Sequence, residues 1–144
     1  MKKTDLRIGN LVGIKETALH ADGCNHSEAI FEIEEIKKDV VQFKAYHANE
    51  YYKDLNPIPI TEQWLLDFGF EDEGGDDYVV AKGEHTLLLT VEKDSISVSL
   101  LIYLYGTYNS EYIFLKDILY VHQLQNLYFA LMQEELILKE RSKE

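Results

Sequence analysis

The chain has 144 residues, with 14 Lys and Arg against 26 Asp and Glu, a formal net charge of −12. That balance repels phosphate backbones and anionic leaflets, which excludes generic charge-driven binding to nucleic acid or to a membrane surface. A hydrophobic share of 46% with 10 Tyr excludes global disorder, and a chain of this length buries a core without disulfide, structural metal or cofactor.

In chain order, Arg7-Ile8-Gly9-Asn10-Leu11-Val12 places Gly9-Asn10 as a turn or bulge between two apolar pairs. Residues 17–27 read as a polar loop around Gly23. Phe31-Glu32-Ile33-Glu34 and Val41-Gln42-Phe43-Lys44 alternate with period two and predict a hairpin across Lys37-Lys38-Asp39. A helix over 28–38 competes, since Ile30, Ile33 and Ile36 recur every three residues, but Phe31, Val40, Val41 and Phe43 favour strands. Strands this short around a few apolar side chains predict a small SH3-like β-barrel unit.

The only two prolines stand in Asn56-Pro57-Ile58-Pro59-Ile60 and make a stiff connector. It divides the chain into an N-terminal subdomain, 1–56, and an α+β subdomain, 57–144, expected to form one compact unit. Beyond it, Thr61 is placed to N-cap a short helix that turns Trp64, Leu65 and Phe68 inward and ends at Gly69. Glu71–Asp77 reads as an acidic turn around Gly74-Gly75. An antiparallel meander follows over 78–82, 86–92, 95–105 and 111–115. In its third strand Ile96, Val98, Leu100, Ile102 and Leu104 share one face, while the other passes from Ser95, Ser97 and Ser99 to Leu101, Tyr103 and Tyr105. The last segment, Lys116–Glu135, has helical periodicity. Its broad apolar arc includes Tyr120, Leu124, Leu127, Tyr128 and Leu131, with His122, Gln123 and Asn126 opposite. The arc is wider than one supporting surface needs, so the helix is expected either in a groove between the subdomains or partly against another chain. The fold class is therefore α+β.

Cys24 is the single cysteine, which points to a reducing compartment. The start, Met1-Lys2-Lys3-Thr4-Asp5, lacks the apolar stretch of a signal peptide. The longest strongly apolar run, Leu100–Tyr105, is far short of the ~20 residues that span a bilayer. A cytoplasmic protein without membrane contact is expected.

Arg7–Val12, then Asn56-Pro57-Ile58-Pro59-Ile60-Thr61 with Trp64-Leu65-Leu66 and Gly69-Phe70, and finally Val121-His122-Gln123-Leu124-Gln125-Asn126-Leu127-Tyr128-Phe129-Ala130-Leu131 stand in one order and frame most of the chain. In these blocks the sequence resembles a family of small, uncharacterised proteins from gut-bacterial genomes and their prophages. That family has no established activity, so the resemblance implies a mobile-element context and no catalytic residues. One departure is Gln133, where the family pattern often has Gly; it bears on the C-terminus of the last helix.

Four groups of side chains are candidates for chemistry. His20, Asp22, Cys24 and His26 offer the donors zinc takes, but their spacing matches no established ligand set, and a polar surface loop is the plainer reading. Glu71, Asp72, Glu73, Asp76 and Asp77 put five carboxylates in seven positions. They lack the alternating ligands of an EF-hand loop and read as an acidic solvated face. His122, Gln123 and Asn126 are candidates to bind a ligand edge; capping of backbone or buttressing of the sheet is the commoner role of such residues. Tyr103, Tyr105, Tyr108 and Tyr112 gather at one hairpin end. With no Lys or Arg over 95–115, this group suits packing or a protein interface rather than base stacking.

Hydrolase motifs, phosphate-cradling loops and the His-Glu-x-x-His zinc pattern are absent. The expectation is a non-enzymatic accessory or protein-interaction protein of a prophage or mobile element, whose partner is a protein, homo-oligomers included. An acidic mimic of DNA that inhibits a basic nucleic-acid-binding protein is one alternative. A small metal-dependent hydrolase using the 20–26 loop is the other. Residues 61–94 hold ten acidic and two basic side chains, eight of the twelve net negative charges, so a basic partner would meet that region.

Overall fold

Arg7 to Asn10 forms a turn, with Asn10 N–H donating to Arg7 O at 3.1 Å and Gly9 at φ 90°, a left-handed conformation that glycine adopts without strain. The turn delivers the chain into the first strand. The computed structural model describes residues 1–15, 29–44, 46–104, 106 and 108–139, with the side chains of 46–48 left aside. These divide into two compact units: Met1–Pro59 with Tyr120–Leu127, and Ile60–Leu119 with Tyr128–Glu144. Both are built mostly from strands, giving two antiparallel sheets and two helices, a mixed α+β protein.

In the first unit, β1 (Leu11–Ile14), β2 (Phe31–Ile36), β3 (Val40–Phe43), β4 (Tyr46–Tyr51) and β5 (Leu55–Asn56) form a sheet in the order β4-β3-β2-β1-β5. Period-two alternation carries Ile33, Val41 and Phe43 inward, where they join Leu6, Val12, Ile14 and Leu55 in a core. The rings of Phe31 and Phe43 meet at 5.0 Å. The competing helix over 28–38 does not form. The expected barrel is not closed either: among the described residues no pairing joins β5 to β4. Pro57 ends β5 after two residues, and a prolyl nitrogen has no proton with which to extend a ladder.

In the second unit, α1 (Glu62–Asp67) precedes β6 (Glu71–Gly74), β7 (Asp77–Lys82), β8 (His85–Val91), β9 (Ile96–Tyr103) and β10 (Ser110–Ile118). Their sheet runs β10-β9-β8-β7-β6, every pair antiparallel. Leu65, Phe68, Phe70, Tyr78, Leu87, Leu89, Ile96, Val98 and Ile118 are buried. Thr61 stands at the N-cap of α1 in extended conformation, without a side-chain capping bond. At the other end Gly69 N–H donates to Leu66 O and Phe70 N–H to Leu65 O, both at 2.9 Å, with Gly69 at φ 89°. This pair of bonds is the Schellman stop.

Two boundaries differ from the sequence reading. Glu71–Gly74 is not part of a turn: it is an edge strand, with Glu71 opposite Val79 and Asp72 opposite Tyr78. The last helix, α2 (Val121–Met132), begins five residues later than the periodicity suggests, because Lys116, Asp117 and Ile118 pair with Val98, Ser97 and Ile96. Gln123 marks the true start. It is the third residue of α2, and its Oε1 accepts from the Tyr120 N–H at 3.2 Å, as a capping-box Gln does.

At the far end of α2, Gln133 holds φ 56° and donates from Nε2 to Ala130 O at 3.0 Å. A side chain in the left-handed region costs about 1 kcal/mol relative to Gly. Gln133→Gly is therefore expected to raise stability by roughly 0.5–1 kcal/mol in urea unfolding, whereas Gly69→Ala, at φ 89°, should lower it by roughly 1–2 kcal/mol. The added Cβ of Gly69→Ala would also meet the Lys139 side chain, a flexible end that gives way easily, so adding Lys139→Ala should recover little of the loss.

Candidate functional site

The first half of α2 carries three of the residues singled out from sequence, and the structure uses them internally. Asn126 Oδ1 accepts from Asn10 Nδ2 at 2.8 Å, and Asn126 Nδ2 donates to Asp5 O at 3.0 Å. Asn10 is fully buried, and its own Oδ1 accepts from Arg7 N–H at 2.7 Å. Gln123 caps the helix. His122 is buried, with its ring stacked on Tyr120 at 5.9 Å and 10°. Gln125, which the sequence reading passed over, completes the set: its Oε1 accepts from Leu11 N–H at 2.8 Å and its Nε2 donates to Gly9 O at 3.0 Å. One side-chain amide thus pairs with the backbone on either side of Asn10, as a neighbouring strand would. The signal was available in the spacing, since 122, 125 and 126 lie on one helical face.

The acidic residues lie on β6 and at the entrance to β7. Glu71, Asp72, Glu73 and Asp76 are exposed. Asp72 Oδ1 accepts from Gly74 N–H at 2.8 Å, and Asp77 Oδ1 from the Thr90 hydroxyl at 2.7 Å. Burial first, then the carboxylates of Glu62, Asp72 and Asp76, hold the Tyr78 phenol above its ordinary value. Tyr78 therefore stays a neutral member of the core at physiological pH. Among the described residues no three His, Cys, Asp or Glu side chains converge as a metal-ligand set. His20, Asp22, Cys24 and His26 lie outside the described residues, as does Tyr105.

Tyr103, Tyr108 and Tyr112 are exposed at the β9–β10 hairpin, Tyr108 completely. Cross-strand register decides which side chains share a face. Tyr112 stands opposite Leu101 and Phe114 opposite Ser99, while Ser110 faces Tyr103. Tyr103, Tyr112 and Phe114 therefore lie on one face of the sheet with Leu101, and Leu88 joins them as the β8 partner of Ser99. Phe114 is 58% exposed, and on the opposite face of the same strand Ile113 is 46% exposed. Neither was singled out from sequence, although both follow from alternation once β10 is recognised as a strand. Exposed apolar side chains therefore stand on both faces of β10, Tyr112 and Phe114 on one and Ile113 on the other.

No helix among the described residues is long and apolar enough to cross a membrane. The chain matches no family model, no curated protein and no solved structure.

The Gln125 clamp yields a graded prediction. Gln125→Ala leaves Leu11 N–H and Gly9 O without their partner and is expected to cost about 2–3 kcal/mol in chemical unfolding. Gln125→Glu should cost a similar amount at pH 7, because a carboxylate cannot donate to Gly9 O and carries charge at a position only 2% exposed. Burial raises the folded-state pKa of that new carboxyl above its unfolded value of about 4.3. The folded state then binds the extra proton, so the deficit should shrink as pH falls through the raised value and be smallest below about 4.3. A deficit that stays constant between pH 7 and 4.5 would count against the clamp.

Proposed function

We propose that the protein is a non-enzymatic interaction protein that acts through protein contacts at the β9–β10 hairpin. The observation that carries this reading is the exposure of Tyr112, Ile113 and Phe114 on β10, the edge strand of its sheet, with Tyr103 exposed on the neighbouring β9. Large aromatic side chains supply interface area with little loss of side-chain freedom, and the absence of Lys and Arg over 95–115 disfavours nucleic acid as the occupant. The family resemblance adds a prophage or other mobile element as the setting. The strand order β4-β3-β2-β1-β5, with a 3-10 turn at Tyr52–Asp54 before the last strand, supports an SH3-like topology for the first unit. The neighbour-to-neighbour order of the other sheet supports a meander.

A second reading, mimicry of DNA by the acidic segment, is favoured by one observation: Glu71, Asp72 and Glu73 stand side by side on an exposed edge strand. Charge complementarity would then draw a basic partner to β6.

A photo-crosslinking amino acid placed at Tyr103, Tyr108 or Phe114 separates the two in cells. Discrete polypeptide adducts are expected from these three positions and none from Asp72 or Asp76. Adducts confined to the acidic positions would favour mimicry, and no discrete adduct from either group would overturn the interaction reading.

A further inference from the structure

The two edges of the β6–β10 sheet are built in opposite ways. β6 has four residues, three of them acidic, the short charged form that discourages strand addition. β10 has nine residues, and at its middle Tyr112, Ile113 and Phe114 are all exposed. Its outer side has no strand partner among the described residues. A long apolar edge of this kind is a template for another strand.

The identity of that strand follows from a bulge in β10. Phe114 pairs with Ser99 and Lys116 with Val98, so Leu115 is the extra residue. Counted in ladder positions, Tyr112 and Phe114 flank Ile113 at one step, Glu111 and Lys116 at two steps, and Ser110 and Asp117 at three. A twofold axis through Ile113 and perpendicular to the sheet therefore brings each residue opposite its complement. Ile113 meets Ile113 of the second copy, Tyr112 meets Phe114, Glu111 meets Lys116, and Ser110 meets Asp117. Faces agree at every pair: Glu111, Ile113 and Lys116 sit opposite Ile102, Leu100 and Val98, while Tyr112 and Phe114 sit opposite Leu101 and Ser99. Without the bulge Glu111 would oppose Leu115, and the charges would be unmatched. Two aromatic pairs and two ion pairs are what such an isologous contact requires.

We infer that β10 is a homodimerisation strand, pairing antiparallel with β10 of a second copy about Ile113 to make one continuous ten-stranded sheet. The net charge of −12 does not oppose this approach strongly. β10 itself carries only Glu111, Lys116 and Asp117, and the acidic β6 lies four strand spacings away, about 19 Å against a Debye length of about 8 Å.

The inference rests on the hairpin being a contact surface, and its test is separate. Sedimentation equilibrium of the purified full chain over about 1–200 µM should show a monomer–dimer equilibrium. Glu111→Lys and Lys116→Glu are both exposed substitutions, and each alone sets like charges opposite each other twice; each should weaken the dimer about tenfold or more. An equimolar mixture of the two variants restores both pairs in a heterodimer and should recover the wild-type affinity. Circular dichroism checks that both remain folded. A wild type monomeric throughout, reversals without effect, or a mixture that fails to recover would overturn the pairing. A monomeric wild type would sink the dimer alone, whereas the interaction reading falls only if cellular adducts are missing.

Discussion

Gln125 holds the first unit together across the chain. Its amide pairs with Leu11 N–H and Gly9 O, residues 114 and 116 positions away, and Asn126 reaches Asn10 and Asp5 beside it. A turn such as Arg7–Asn10 exposes backbone groups that a partly buried site must satisfy. Here the partner is a helix segment supplied after Ile60–Leu119, the larger part of the second unit, has passed. The consequence is that the backbone around Asn10 finds its partners only when Tyr120–Leu127 arrives. The intervening segment makes that affordable by closing its own ends, with Ile60 N–H donating to Leu119 O at 3.0 Å. Val121 N–H donates to Ile58 O at 2.9 Å in the first unit, and Pro59 bridges Tyr120. A segment whose ends meet adds little loop entropy to the unit it interrupts.

The same requirement explains how the polar side chains of α2 are used within the first unit. His122 and Gln125 are both nearly inaccessible and Asn126 is half-buried, and the Gln125 amide serves as a strand edge would. Buried amides satisfied on both sides fix register, since a one-residue shift would leave every bond unmade.

Much of this was legible in the residues. Period-two alternation identified β2, β3 and β9, and Gly69 with Phe70 announced the stop of α1, because each depends on local chemistry. What was not legible depended on partners far along the chain. Tyr112–Leu115 is an unbroken apolar run followed by Lys116, Asp117 and Ile118, so periodicity alone could not separate the end of a strand from the beginning of a helix. Ile118 became a strand residue only through its pairing with Ile96. Glu71–Gly74 has poor strand propensity and is drawn into the ladder by β7, an override of local preference by tertiary context. The open sheet of the first unit turned on Pro57, whose lost donor was visible in the sequence but was read only as a connector.

The bulge at Leu115 is where fold and surface meet. Bulges on edge strands usually guard against unwanted pairing by bending the edge away. In β10 the extra residue also shifts Lys116 onto the face of Glu111 and Ile113 and keeps Ile118 buried opposite Ile96. An edge that was only guarded would place its charge at the apolar centre; this one keeps Tyr112, Ile113 and Phe114 uninterrupted and sets opposite charges at equal ladder distances on either side. Any other strand could borrow the backbone donors of that edge, but the matched spacing of Glu111 and Lys116 about Ile113 selects a partner that carries the same spacing in reverse. A second β10, antiparallel, is such a strand.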